Sequence, residues 1–88
     1  MGDLGERMKT IADHYGMTAQ KHKLREEMND LMEAIQEGEP GHIAEEMADV
    51  SIMIRQMQYL FDIEKDEIIA CMNYKTIRTI EKIRREGK

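Results

Sequence analysis

Apolar side chains recur every third or fourth position along almost the whole chain, the period of an α-helix buried on one side. Leu4, Met8, Ile11 and Ala12 predict a short helix over residues 3–14. Asp13-His14-Tyr15-Gly16 closes it, with Gly16 suited to a left-handed cap. Thr18 is placed to cap a second helix, with Met17 ahead of it as a hydrophobic staple. Leu24, Met28, Leu31, Met32 and Ile35 form that helix's stripe, and Gly38 and Pro40 stop it. A third helix is expected from about His42 to Phe61, striped by Ile43, Met47, Val50, Ile54, Met57 and Phe61 and widened by Met53 and Leu60. Val50, Ile52 and Ile54 alone would suit a strand, but the helical period continues on both sides. Asp62-Ile63-Glu64 makes a turn, and Glu64 with Glu67 caps a last helix striped by Ile68, Ile69, Met72, Thr76, Ile80 and Ile83.

The fold class that follows is all-α: a short N-terminal helix plus three longer, antiparallel helices in a single domain, residues 1–88. A chain of this length buries only roughly 60–65% of its surface. Homo-oligomerisation is therefore expected to complete a four-helix-bundle core.

Charge refines this picture. The chain has a net charge of −5, against general binding of nucleic acid. Residues 75–88 are the exception, with six basic side chains against two acidic ones; their net of +4 leaves −9 for the rest. Cys71 is the only cysteine, so no intrachain disulfide is possible. No apolar run approaches the length of a membrane span, and the N-terminus lacks the basic start and apolar stretch of a secretory signal. A cytoplasmic protein without membrane association is expected.

Chemistry concentrates in a pentapeptide that occurs twice, Glu26-Glu27-Met28-Asn29-Asp30 and Glu45-Glu46-Met47-Ala48-Asp49. On a helix, positions i and i+3 lie about 5–6 Å apart, which pairs Glu27 with Asp30 and Glu46 with Asp49. The intervening Glu37-Gly38-Glu39-Pro40-Gly41 lets the two helices fold back, turning both pairs toward a common space. Both pairs lie on the shoulder of an apolar stripe, and no basic residue follows Glu27 or Glu46 at i+3 or i+4. Half-buried carboxylates need a counter-charge, and a hard divalent cation such as Mg²⁺ supplies one through oxygen ligands. The plain alternative is a solvated acidic face.

This pattern resembles the all-α nucleoside triphosphate pyrophosphatases, the MazG-like group related to dimeric dUTPases and phosphoribosyl-ATP pyrophosphatase. Their E-E-x-x-E … E-x-x-D signature is matched by Glu26-Glu27-x-x-Asp30 and Glu46-x-x-Asp49, with Gln20-x-x-Lys23-Leu24 upstream and Val50 opening an apolar run after Asp49. The resemblance covers roughly residues 14–80. It implies hydrolysis of a nucleoside triphosphate to the monophosphate and pyrophosphate, with Mg²⁺ (or Mn²⁺) held by Glu27, Asp30, Glu46 and Asp49. It also implies a homodimer or tetramer with pockets built between subunits. Glu26 or Glu27 would accept the attacking water's proton, and Lys75 and Arg78 would neutralise the pyrophosphate. Gln20 and Lys23 would contact base or phosphate. Two positions depart from the signature: Asp30 is one methylene shorter than glutamate, and Thr79 stands where the family's last helix carries asparagine.

Other residues offer less. His14, His22 and His42 show no His-x-x-x-His spacing for zinc, and Glu39-x-x-His42 is a single Glu-x-x-His where a di-iron site needs two. Tyr15 and Tyr74 suit either stacking on a base or packing between subunits. There is no glycine-rich phosphate loop. The rival to an enzyme is a non-catalytic helical dimerisation module of the same fold.

Overall fold

The structure, a computed structural model, describes residues 2–87. Three helices make up nearly all of it, and no strand occurs among the described residues. They are α1 (Leu4–Glu37), α2 (Pro40–Leu60) and α3 (Lys65–Glu86). No helix is long and apolar enough to cross a membrane, among the described residues.

Three helices stand where the pattern predicted four. The expected break at residues 13–18 is a kink of one residue inside α1, at Gly16 (φ 83, ψ 169). That conformation is open to glycine and strained for any side chain, so the chain turns there without a loop. Thr18 accordingly lies within α1 rather than capping a new helix. Asp3 caps α1 instead, its Oδ1 accepting from the Glu6 N–H at 2.8 Å.

The connection between α1 and α2 is two residues long. Gly38 takes the left-handed position (φ 81, ψ 12) and its N–H satisfies the Ala34 carbonyl. Glu39 caps α2, and Pro40 occupies its first turn. Pro40 thus starts a helix where the pattern had it stopping one, because a first-turn N–H is unpaired in any case. At the far end Asp62 (φ 55) turns the chain, and the Ile63 N–H reaches back to the Gln58 carbonyl at 2.8 Å. The expected cap of α3 is present: Glu67 Oε1 accepts from the Glu64 N–H at 3.2 Å.

So short an elbow makes α1 and α2 antiparallel neighbours. From residue 17 to the end of α1, only Gln20, Leu24, Glu27, Leu31 and Ala34 are sheltered from solvent. Their alternating steps of four and three are those of a coiled-coil seam. Ile43, Glu46, Val50, Met53, Met57 and Leu60 repeat these steps on α2, with Gln56 beside them. Four of these positions are polar, Gln20 and Glu27 on α1 and Glu46 and Gln56 on α2. A seam built for packing alone would hold hydrocarbon there.

Much of the expected core is open. Met28, Met32 and Ile35 on α1, and Met47, Ile54 and Phe61 on α2, are exposed. Each helix of the hairpin carries two apolar faces, and the hairpin uses one. α3 packs on neither α1 nor the rest of α2 to any extent: only Ile68 is sheltered among its described residues, while Ile69, Met72, Ile80 and Ile83 face solvent. The radius of gyration is 16.3 Å, against about 12 Å for a compact domain of this length.

Candidate metal centre and adjoining groove

Antiparallel pairing brings residues 27 and 46–49 to the same level of the hairpin. One oxygen each from Glu27, Glu46 and Asp49 lies within 4.8 Å of the other two. Glu27 and Glu46 occupy seam positions, and Asp49 stands one turn beyond Glu46 at the exposed rim. Glu27 is 8% exposed, unusual for a carboxylate.

Bases arrive from the N-terminal side of each acid. Lys23 Nζ lies 3.1 Å from Glu27 Oε1 and 3.6 Å from Glu26 Oε2. The hydrogen bond and charge of Glu27, with the Glu26 charge behind them, hold the Lys23 ammonium above its ordinary pKa. His42 Nε2 lies 3.3 Å from Glu46 Oε1, and its Nδ1 3.3 Å from Glu37 Oε2. Loss of solvent pulls the imidazole down, but Glu37 and Glu46 together outweigh that and raise it. Lys23 and His42 precede their acids by four places, whereas the third and fourth positions following Glu27 and Glu46 hold no base. The i−4 spacing was the available signal.

One oxygen has no partner. Among the described residues Glu46 Oε2 is buried without a hydrogen bond, and leaving such an atom unsatisfied costs free energy. Three carboxylates, one of them with an oxygen left unpartnered, suit a divalent cation of the Mg²⁺ or Mn²⁺ kind.

Asp30 is exposed on α1 and does not join the converging oxygens, so the set is three carboxylates where four were expected. Glu26 is exposed on the rim. Beside the carboxylates opens a groove of about 500 Å³, lined by Gln20, Lys23, Glu26, Glu27 and Asp49 among others. Tyr15 stands in its wall, its ring edge-on to His14 at 4.7 Å. Lys75 and Arg78 do not line this groove. They border a separate basic hollow along α3 with Thr79, Lys82 and Arg85, Arg78 lying over the Tyr74 ring.

Two features escaped the sequence reading. Gln56 is 1% exposed and bonded to Gln20; its only signal was a polar residue three places after the apolar Met53. The Tyr59 hydroxyl donates to Asp13 at 2.9 Å, tying the segment before Gly16 to α2. That bond and the Asp13 charge raise the phenol's pKa.

Comparison with known protein families, with curated proteins and with solved structures finds no match for this chain.

Proposed function

We propose that the chain is a nucleoside triphosphate pyrophosphohydrolase. It works with Mg²⁺ (or Mn²⁺) as a homodimer or tetramer, completing a four-helix core between copies, in the MazG-like manner that its carboxylate pattern resembles. One observation carries the reading: Glu27, Glu46 and Asp49 converge from two helices while Glu46 Oε2 lacks a partner. These three residues would hold the cation. Bound there, it would offset the triphosphate's charge and lower the pKa of a water.

The remaining work falls to the chain's own groups. Glu26, on the groove rim and outside the converging set, is free to accept the water's proton. Lys23 holds Glu27 in place and offers positive charge to a phosphate oxygen entering the groove. Lys75 and Arg78 lie off the groove of their own chain, so neutralising pyrophosphate is a task for these residues on a neighbouring copy.

The test is pyrophosphate release from a panel of standard and modified nucleoside triphosphates, with Mg²⁺ and then with EDTA. Wild type should need the cation, and Glu46→Gln should be slower by on the order of 100-fold or more. Equal rates for the two, or no release from any triphosphate, would end the catalytic reading. The exposed apolar row of α3 favours a second reading, a helical interaction module. An intact oligomer that hydrolyses nothing would select it.

A further inference from the structure

The repeat in this chain is longer than its shared pentapeptide. Lys23-Leu24-Arg25-Glu26-Glu27-Met28-Asn29-Asp30 and His42-Ile43-Ala44-Glu45-Glu46-Met47-Ala48-Asp49 match in a base, an aliphatic residue, two glutamates, a methionine and an aspartate. The aliphatic residue and the second glutamate of each copy lie on the seam. The bases do not: the Lys23 side chain is 53% exposed and that of His42 42%. Each nevertheless turns back to the glutamate four residues on, at 3.1 Å and 3.3 Å.

The second copy has one member more. His42 Nε2 faces Glu46 Oε1, and its Nδ1 faces Oε2 of Glu37, the last residue of α1, at 3.3 Å. The His42 backbone is pinned as well, its N–H donating to the α2 cap Glu39 at 2.6 Å. An imidazole held at one nitrogen presents the other in a set direction. Glu46 needs such a hold. One of its oxygens lies within 4.8 Å of oxygens from Glu27 and Asp49, and carboxylates that close repel one another. Unheld, the side chain would swing out of the seam toward water. With Oε1 held by His42, the buried and unpartnered Oε2 is fixed too.

We infer that Glu37 and His42 are positioning residues: Glu37 orients the imidazole, and the imidazole braces Glu46 so that its second oxygen is kept for a divalent cation. This rests on the cation site of the proposed pyrophosphohydrolase and adds two residues outside its ligand set. Charge and positioning act here in opposite directions. A positive ring beside the site repels a cation, so removing it would by charge alone tighten binding. Water screens a ring this exposed, which keeps the repulsion small. Outer contacts that orient a metal's ligands are worth on the order of 10–100-fold in affinity. Positioning is therefore the larger effect.

The experiment titrates Mn²⁺ into the full chain near neutral pH without nucleotide, counting the free ion by its EPR signal. His42→Ala should bind about tenfold more weakly. It should melt with wild type, because exposed ion pairs add little to stability. His42→Gln places an amide nitrogen near the position of Nε2 and should recover most of the loss. Glu37→Ala should weaken binding by about threefold, and that effect should vanish in the His42→Ala background, since Glu37 acts through the ring. Tighter or unchanged binding by His42→Ala would overturn the brace. So would a Glu37 effect that persists in the double variant, or a His42→Gln that binds no better than His42→Ala. A wild type that takes up no Mn²⁺ would remove the cation reading and the brace with it. The His42 pattern without pyrophosphate release would keep the brace and remove the hydrolase.

Discussion

Glu39 sits at the N-cap of α2, where its two carboxylate oxygens accept from the Gly41 N–H at 2.9 Å and the His42 N–H at 2.6 Å. Those two bonds, Gly41's first, hold the carboxyl below its ordinary pKa of 4.5. A carboxyl whose pKa falls on folding contributes stability above the unfolded value. That contribution drains away as pH drops through the lowered folded value. Glu39→Ala should therefore melt below wild type at neutral pH. The gap should close as the solution is acidified past 4.5, read as two melting curves that converge. A constant gap would mean that the elbow depends on something other than this charge. The basic partners at the candidate site show why single residues are hard to read ahead of a structure. Lys23 and His42 meet their acids only because the backbone is helical over those four residues, and His42 also reaches Glu37 across the elbow. That last contact depends on how tightly the chain turns.

At the scale of one helix, the kink in α1 is the feature with most consequence. A Cβ at Gly16 would meet nothing within 4 Å, so space is no obstacle there and the objection is the dihedral angle alone. Gly16→Ala should destabilise the protein by about 1–3 kcal/mol, measured by urea unfolding. A variant that instead straightens α1 would lose the Tyr59–Asp13 bond, visible as a return of the tyrosine's raised pKa toward its ordinary value. The pattern of apolar residues had announced most of this architecture: the helical period, the elbow at Gly38, and the cap formed by Glu64 and Glu67. It could not say that Gly16 bends a helix rather than ending one, since both outcomes use the same residue with positive φ. Nor could it say that Pro40 opens α2, because a proline just past a helix end and one at a helix start look alike two residues after a glycine. The carboxylates converged at the expected place, but with three members. Asp30 lies three positions beyond Glu27, off the alternating four-three steps of the seam, and faces solvent.

The whole molecule carries more apolar surface than one copy can cover. Met28, Met32 and Ile35 line one open face of the hairpin, Met47, Ile54 and Phe61 another, and α3 adds a third. Burying such side chains stabilises by about 1.5–3 kcal/mol each, and contiguous patches of this kind mark interfaces. Light scattering after gel filtration should give a mass that is a multiple of the 10.3 kDa chain. Met32→Glu should shift the population toward the single chain. A monomer at every concentration, for wild type as well, would contradict the oligomeric part of the proposed function.

The four-three spacing that joins α1 to α2 also limits how this hairpin can change in length. One residue added between Gln20 and Glu27 would rotate everything beyond it by about 100°, carrying Glu27 off the seam while leaving Gln20 in place. Seven residues would restore the heading but slide the acid past Glu46, unless α2 grew by the same amount between Glu46 and Gln56. Length variants that keep both the amide pair and the acids facing should therefore differ by whole heptads, inserted in both arms together.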